Sequence, residues 1–470
     1  MRVIKNYLYN VGYQLLAIIL PLITSPYISR VLLPKGVGIF TYTYSVSQYF
    51  VLIAGLGISL YGSRQIAYVK NNSEKISKTF FEIIIVEILA VVLTLMLYVV
   101  FILIYRRYSI YFFSQSFYII SVLFDISWFY MGLEDFQKIV LKNSLVKLST
   151  AVCIFVFVRN YTDLNKYILI LSLGTLLGNL TFWPYLRHMI VRIKFSHLTP
   201  IKHLKPALFL FVPQIAIQFY TQLDKIILGA MGKEDAAGFY NYSDGIIRMA
   251  LTLVTSVGTV MLPHVATAYS KGENDKVKEM VKKSFKFVSF LSIGIAFGIA
   301  SISIEFGPFF YGNDYEPVGK VMLLEAPAIV PIAWASVIGN QYLIPTKQTN
   351  TYVMSVLYGA FINLILCIPL ILKLGLYGAM LITVVSEGVV TGYQMIKVRK
   401  QLQICDMLKE TYRFFLVGFI MFLVIFTLMI HKKLSILLLT IIVFCGASFY
   451  ILVLIVFDED LRSLKKEKLL

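Results

Sequence analysis

The amino-acid sequence predicts an all-α, polytopic membrane protein with about 14 transmembrane helices. Hydrophobic residues make up 58% of the 470-residue chain, and charged residues make up only 14%. The mean hydropathy is +0.78, and apolar runs recur from one end of the chain to the other. Because each span needs about 20 apolar residues, this composition favours repeated hydrocarbon-crossing helices over a soluble core.

The predicted spans follow one another with short separators. The apolar runs cover residues 8–32, 37–62, 81–105, 110–132, 143–159, 166–186, 206–231, 239–265, 284–308, 319–344, 351–373, 375–397, 411–431 and 433–457. Many separators contain turn-forming residues, such as Pro-Lys-Gly at 34–36 and Gly-Lys-Glu-Asp at 232–235. None is long enough to form a soluble domain, so nearly the whole chain is predicted to lie in the membrane or beside it.

An internal repeat divides the chain into two similar parts. Residues 15–38 and 208–238 each contain an apolar run that ends in a cation, turns through a short loop and re-enters an apolar run. When the two copies are aligned, Arg30 matches Lys225, 195 positions later. A short insertion in the second copy then increases the separation of matched residues to 200, so that Gly38 matches Gly238. Such repeats are common in transporters, with the binding site at their interface. An even number of helices per repeat predicts two parallel six-helix lobes with pseudo-two-fold symmetry, 1–200 and 201–403, followed by two helices and a cytoplasmic tail, 404–470.

The net charge of +18 is spread through the separators, which is typical of a topology signal and does not indicate a nucleic-acid-binding protein. With the N-terminus inside, the predicted cytoplasmic segments contain 30 Lys and Arg residues and the outer segments contain 11. This bias predicts a multi-pass protein of the bacterial cytoplasmic membrane with both termini in the cytoplasm. The basic loops at 187–205 and 271–286 are also suited to anionic lipid headgroups, so membrane lipids are expected partners.

Four cations near or within the spans are candidates for substrate binding, because intramembrane charges usually face a cavity or a partner. They are Arg30, Arg64, Lys225 and Arg248. Each has an alternative interpretation. Arg248 can pair with Asp244 four residues earlier, which does not prevent it from contacting a substrate. Arg30 and Lys225 can extend to the outer interface, and Arg64 can serve as a topology signal.

Five carboxylates in or near the spans are candidates for ion coupling, the alternative being a buried hydrogen-bonded role or a local counter-charge. They are Asp125, Asp224, Asp244, Glu325 and Glu387. The sequence contains no recognisable catalytic set, metal-binding motif or phosphate-binding loop. It therefore predicts neither an enzyme nor a bound cofactor.

Three stretches carry a family resemblance: ITSPYISRVLLPKGVGIFTY, GLGISLYGSRQIA, and TQLDKIILG followed by GFYNYSDG. Together with the fourteen runs, they resemble the polysaccharide flippases of the multidrug/oligosaccharidyl-lipid/polysaccharide exporter superfamily, and most of all the Wzx-type branch. The resemblance covers nearly the whole chain. It implies alternating access of a cation-lined cavity between two lobes, with Arg30, Arg64 and Arg248 facing the substrate.

The implied cargo is an undecaprenyl-pyrophosphate-linked oligosaccharide, moved to the outer leaflet for capsule or O-antigen synthesis. The polymerase and chain-length regulator of the same pathway are expected partners. Lipid II and teichoic-acid flippases share this plan, and a drug/ion antiporter of the same fold would favour an acidic cavity. A membrane polymerase or ligase would need a large outer loop, which the sequence lacks.

Overall fold

The computed structural model describes residues 2–187, 189–191, 193, 198–429, 432 and 434–457. Within these ranges the regular structure is helical and includes no strand. Twelve elements in the described residues are long and apolar enough to cross a membrane. The predicted all-α polytopic fold is therefore confirmed, whereas the expected count of 14 spans is not. The predicted cytoplasmic tail after residue 457 lies outside the described residues.

Contacts between residues divide the chain into two compact units, Met1–Gly238 and Phe239–Leu470. The first unit contains α1 (Arg2–Gly55), α2 (Ile58–Val69), α3 (Ser73–Ile104), α4 (Ser109–Leu123), α5 (Ser127–Gly132), α6 (Phe136–Phe157), α7 (Leu164–Leu180), α8 (Trp183–Leu186) and α9 (Ile201–Ala230). The lobes that the repeat predicts, 1–200 and 201–403, remain a prediction.

One long helix, α10 (Glu234–Ser270), begins in the first unit and continues into the second. The second unit then contains α11 (Asn274–Tyr311), α12 (Glu316–Glu325), α13 (Ile329–Ser336), α14 (Thr349–Leu374), α15 (Leu376–Val398), α16 (Ile404–Met429) and α17 (Ile436–Phe457). A π-helical segment, Val337–Leu343, follows α13 directly. The predicted run 319–344 is therefore a chain of short helical pieces.

The first predicted span and most of the second lie within a single element, α1, which is broken at Leu33. Leu33 has φ 59° and ψ 169°, so the backbone leaves the helix there, and Pro34 restarts it. Proline suits the first position of a helix, since its missing N–H would have no intrahelical partner there. Residues 34–36, predicted to be a turn, instead begin a second helical segment. The break leaves Arg30 in the last turn of the first segment.

The side chains of α3 show why these helices suit a lipid environment. Leu93, Leu97 and Leu103 are 60%, 50% and 68% exposed, whereas Glu82 and Glu87 on the same helix are buried. Exposed leucines together with buried carboxylates are expected where the outer surface faces hydrocarbon, since charged groups then turn toward the protein interior.

Within the first unit, the two helix starts that the sequence repeat matches contact each other. A Cβ atom added at Gly38 would lie 1.8 Å from the carbonyl oxygen of Glu234. A Cβ added at Gly238 would lie 3.0 Å from the carbonyl oxygen of Pro34 and 3.1 Å from the amide nitrogen of Gly38. Pro34 and Glu234 are separated by the same offset of 200 as the two glycines. The contact is therefore reciprocal: each glycine packs against the start of the other's helix.

Replacing Gly38 with alanine is expected to destabilise the protein. The new methyl group would overlap the Glu234 backbone, which cannot rotate away as a flexible side chain could. Overpacking of this kind typically costs about 1–3 kcal/mol. Thermal unfolding of the purified protein measures the effect. Gly245→Ala in α10 is the matched control, because a Cβ there meets nothing within 4 Å; equal unfolding temperatures for the two variants would contradict the prediction.

Candidate substrate-binding site

Arg248 forms an ion pair on α10. Its Nε donates a hydrogen bond to Oδ1 of Asp244, four residues earlier, over 2.7 Å. The Asp244 side chain is 5% exposed, whereas that of Arg248 is 49% exposed. The pairing that the sequence allows is thus present, and it holds the arginine stem against its own helix.

This ion pair leaves much of the Arg248 guanidinium available. Only Nε takes part in it, so both terminal nitrogens lie outside the pair with Asp244. A guanidinium carries its N–H donors in a planar fork that matches two oxygens of a phosphate or carboxylate. Pairing with Asp244 and binding of an anionic ligand are therefore compatible.

Glu325 adds a second carboxylate to this part of the second unit. It is fully buried at the end of α12, and its Oε2 accepts a hydrogen bond from Ser243 Oγ over 2.5 Å. Ser243 directly precedes Asp244, the partner of Arg248, on α10. The structure thus connects Glu325, through Ser243, to the segment that carries Asp244 and Arg248, although Glu325 and Asp244 are 81 residues apart in the sequence.

Glu387 is buried on α15, with 9% of its surface exposed. One helical turn earlier, Thr383 shares a hydrogen bond with the Tyr240 hydroxyl over 2.9 Å, which joins α15 to α10. The carboxylate therefore lies near a polar contact between two predicted spans. This placement is compatible with both interpretations that the sequence allows, ion coupling and a buried hydrogen-bonded role.

In the first unit, Arg30 and Arg64 both have exposed side chains. Arg30 Nη1 donates to the carbonyl oxygen of Pro26 over 2.8 Å. Arg64 does not end the second predicted span; it lies in the separate helix α2, which follows a left-handed residue, Gly57 (φ 72°). Exposure leaves both guanidinium groups accessible to a ligand.

Asp224 and Lys225 are buried on α9, with 2% and 7% of their surfaces exposed. The helix packs closely on α1, where Ser45 Oγ donates to Gln222 Oε1 over 2.8 Å. The burial of Lys225 does not favour the alternative in which its side chain extends to the outer interface. It places a carboxylate and an ammonium group, adjacent in sequence, inside the first unit.

Asp125 lies at a helix break and not in the middle of a continuous helix, as the apolar run 110–132 suggests. The helix α4 ends at Leu123 and α5 begins at Ser127, and Asp125 Oδ1 accepts a hydrogen bond from the Ser127 amide over 3.0 Å. A side-chain oxygen at a helix start satisfies an N–H that has no partner in the helix. Asp125 therefore has a structural role, in addition to its predicted candidacy for ion coupling.

One buried network was not singled out by the sequence analysis. Glu82 on α3 accepts hydrogen bonds from the Thr199 amide (2.9 Å) and hydroxyl (3.1 Å), and it contacts Lys202 Nζ at 2.7 Å and His203 Nε2 at 3.0 Å. The other His203 nitrogen contacts the Tyr61 hydroxyl at 2.7 Å. Glu82 thus fastens the segment that leads into α9 to α3 and α2. Its only sequence signal is a carboxylate near the start of an apolar run.

A second such network lies at the opposite end of α3. Glu234, the first residue of α10, accepts hydrogen bonds from Arg107 Nη2 and the Tyr108 hydroxyl through the same oxygen, Oε1. The Arg107 guanidinium also stacks over the Tyr108 ring, 4.9 Å from its centre. Burial and the hydrogen bond with Glu234 raise the pKa of Tyr108 to about 12. Tyr108 therefore remains protonated, and a donor to Glu234, throughout the physiological pH range.

The chemistry of these positions is compatible with the predicted roles in substrate binding and ion coupling. Exposed guanidinium groups at Arg30, Arg64 and Arg248 suit anionic ligands, and buried carboxylates at Glu325 and Glu387 suit a bound proton or cation. Across the described part of the chain, no group of three or more His, Cys, Asp or Glu residues could hold a metal ion.

Comparison with known proteins places this arrangement in a family. Residues 3–269, more than half of the chain, match the polysaccharide biosynthesis protein family. The chain belongs to that family. An Escherichia coli K12 relative named "Putative O-antigen transporter" is 23% identical over 412 residues, which cover 85% of this chain and 98% of the relative. The transporter and flippase names among the relatives of this family member agree with the prediction that it is not an enzyme.

Solved structures share the fold. A structure of the lipid II flippase MurJ in an inward closed conformation has a TM-score of 0.75 at 16% identity, covering 97% of this chain and 99% of that chain. An inward-facing multidrug resistance MATE family transporter of the MOP superfamily has a TM-score of 0.61 at 13% identity, covering 82% and 98%. The family match, together with the similarity to the Escherichia coli relative, confirms the predicted resemblance to the polysaccharide flippases, and the solved structures show the shared fold.

Proposed function

We propose that this family member is a flippase that moves undecaprenyl-pyrophosphate-linked oligosaccharide repeat units across the bacterial cytoplasmic membrane for O-antigen or capsule synthesis. Transport runs from the inner to the outer leaflet by alternating access, with both termini of the chain in the cytoplasm. The observation that carries the proposal is the near full-length similarity to a relative named as an O-antigen transporter. The polymerase and chain-length regulator of the pathway are its proposed partners.

The proposed cargo explains the chemistry of the candidate cations. Moving a pyrophosphate and a hydrophilic oligosaccharide through hydrocarbon is opposed by the large cost of burying unpaired charged and polar groups. Guanidinium groups that pair with phosphate oxygens reduce this cost. In the proposal, Arg30, Arg64 and Arg248 bind the pyrophosphate with Lys225 as an additional cation, while the isoprenoid chain stays in lipid.

The proposal is tested by locating the lipid-linked repeat unit in a strain that lacks the gene. Without a flippase, single repeat units are expected to accumulate on the cytoplasmic leaflet, where they are inaccessible to a lectin or an oxidant added outside spheroplasts. Surface polymer is expected to disappear, and the intact gene should restore it. If single units instead became accessible from outside while polymer was absent, the chain would act after translocation, as a polymerase does.

Neutralising the carboxylates tests the proposed coupling. If one of them binds the coupling ion, Asp125→Asn, Glu325→Gln or Glu387→Gln should lose most of the transport activity at normal protein abundance, because the neutral side chain cannot exchange the ion. Surface polymer and protein abundance are measured together. Glu316→Gln is the matched control, since Glu316 lies on the same helix as Glu325 but is exposed and paired with Lys320 at 2.8 Å.

Full transport in all three single variants would remove these carboxylates as coupling sites. If Asp224 and Asp244 proved dispensable as well, the membrane potential acting on the charged cargo would be the remaining driving force. Asp224 and Asp244 are tested in the same way, but loss of the Asp244 charge removes the partner of Arg248, and loss of the Asp224 charge changes the surroundings of the adjacent Lys225. For these two positions, transport is therefore compared with that of the double variants in which the neighbouring cation is neutralised as well.

A further inference from the structure

A long groove runs between α6 and α7 on the first unit. It encloses about 1190 Å³, and its lining comes from the two helices and the short elements that flank them. Leu141, Leu145 and Leu177 line it and are 52%, 63% and 61% exposed, so the groove is open to its surroundings. Exposed leucines on predicted spans face lipid chains, so the surroundings here are hydrocarbon.

One end of this groove is basic. Lys138 and Lys142 lie one helical turn apart on the same face of α6, and both line the groove. Lys138 Nζ pairs with Asp135 at 3.0 Å, and Lys142 Nζ donates to Asn179 Oδ1 over 2.9 Å. Each ammonium group has three donors, so these bonds leave donors for a further acceptor.

Aromatic rings surround the two ammonium groups. Lys138 Nζ lies 5.0 Å from the centre of the Tyr130 ring and 5.2 Å from that of Tyr185, and Lys142 Nζ lies 4.7 Å from that of Phe182. Amphipathic rings and lysines together are typical of the level of lipid headgroups. The basic end therefore has the composition of a headgroup site, and the rest of the groove has that of an acyl-chain site.

The dimensions agree with a lipid of one leaflet. From Lys138 to Cys153, both in the lining, α6 rises by about 22 Å at 1.5 Å per residue. One leaflet, with its headgroup region included, is about 20–22 Å thick. The basic end lies on the side predicted to be cytoplasmic, where anionic lipids are attracted to lysine clusters. By contrast, the groove between α11, α16 and α17 is lined by apolar and small residues and includes no cation in its described lining.

We infer that the α6–α7 groove binds an anionic phospholipid of the cytoplasmic leaflet, with the headgroup phosphate at Lys138 and Lys142 and an acyl chain along the leucines. The site is distinct from the candidate cations of the transport path, none of which lines the groove. The inferred lipid site does not depend on the identity of the cargo. A test of lipid binding can therefore succeed or fail whether or not the proposed transport function is correct.

Native mass spectrometry of the purified full-length protein tests this inference, with phosphatidylglycerol and phosphatidylcholine as probes. Phosphatidylglycerol is expected to bind more tightly than phosphatidylcholine. Near a membrane surface each lysine contributes about 1 kcal/mol, equivalent to about fivefold in affinity. The double variant Lys138→Gln/Lys142→Gln is therefore expected to lose roughly 25-fold in phosphatidylglycerol affinity, and much less in phosphatidylcholine affinity, because the choline cation already balances the phosphate of that lipid.

Two variants separate lipid binding from damage to the fold. Lys142→Arg keeps the charge and should retain most of the preference for phosphatidylglycerol. Lys166→Gln is the matched control, because Lys166 lies on α7 outside the groove lining, is exposed, and forms a similar ion pair with Asp163, three residues earlier, at 2.7 Å. The unfolding temperature without added lipid is measured for each variant, and equal values show that the fold is intact.

Three results would overturn the inference. One is an unchanged preference for phosphatidylglycerol in the double variant. Another is equal stabilisation of the protein by phosphatidylglycerol and by soluble glycerol phosphate, which would show that the groove contributes nothing. The last is a double variant that loses binding of a prenyl phosphate but keeps binding of phosphatidylglycerol. That result would show that the groove binds the cargo and not a phospholipid.

Discussion

Arg248→Lys is expected to reduce the formation of surface polymer by about tenfold or more, even though the variant keeps the positive charge. The lysine ammonium is a compact point charge and cannot reproduce the planar fork of the guanidinium. A hydrogen bond to a charged group contributes about 1.5–3 kcal/mol, and loss of one therefore corresponds to about tenfold or more. Arg248→Ala should lose more. The rate of polymer appearance is measured together with protein abundance in the membrane.

A double variant distinguishes cargo binding from charge balance. If Arg248 only compensates the buried Asp244, then Asp244→Asn/Arg248→Gln should restore transport, because no unpaired charge remains buried. Restoration would exclude contact with the pyrophosphate. Continued loss at normal abundance would support that contact if Asp244→Asn alone keeps transport, since Asp244 is then not the coupling site. Arg413→Lys, at an exposed arginine on α16, is the control and should leave polymer formation unchanged.

Cross-linking residue 107 to residue 234 is expected to abolish transport. Arg107 and Tyr108 hold the first residue of α10 in the structure, on the side predicted to face outward. Residue 107 belongs to the predicted lobe 1–200 and residue 234 to the predicted lobe 201–403. Under the proposed alternating access, we therefore expect this contact to part when the outer side opens for the cargo. The cysteine pair Arg107→Cys/Glu234→Cys is introduced after the four native cysteines, none of which forms a disulfide bond, have been replaced: Cys153, Cys367, Cys405 and Cys445. A short, reducible thiol cross-linker should stop polymer formation, and reductant should restore it.

A second cysteine pair provides the control for this experiment. Lys70 and Glu134 form an exposed ion pair at 2.9 Å within the first lobe, at its predicted cytoplasmic side. Linking residues 70 and 134 joins two positions that the proposal does not require to separate, so transport should continue. Normal transport with residues 107 and 234 fully cross-linked would contradict the assignment of an outer gate.

The helices could be predicted from the sequence because their signal is local. A run of about 20 apolar residues has few alternatives to a span, and exposed leucines such as Leu93 and Leu97 on α3 follow directly. The breaks at Leu33 and Asp125 could not be located in this way. Proline after Leu33 is compatible with both a turn and a helix start, and the choice depends on what packs against the following residues.

The candidate site could be predicted only in part, for a similar reason. The Arg248–Asp244 pair follows from a spacing of four on a helix, which the sequence displays. The hydrogen bond between Ser243 and Glu325 joins helices 82 residues apart, and the bonds from Arg107 and Tyr108 to Glu234 span more than 120 residues. Contacts of this range depend on the tertiary fold, so the importance of Glu234 and Glu82 could not be predicted.

The reciprocal packing of Gly38 and Gly238 has an evolutionary consequence. A contact in which each copy of a segment touches the same feature of the other copy is the pattern of an isologous homodimer. It is what gene duplication and fusion of such a dimer would leave behind. In a homodimer a substitution near the axis occurs twice, so a larger residue there would be introduced on both sides of the same narrow space. Fusion removes that coupling, and Pro34 and Glu234 have already diverged while both glycines remain. The reciprocal contact of Gly38 and Gly238 thus retains, within a single chain, the requirement for a small residue at both positions that two identical subunits would impose.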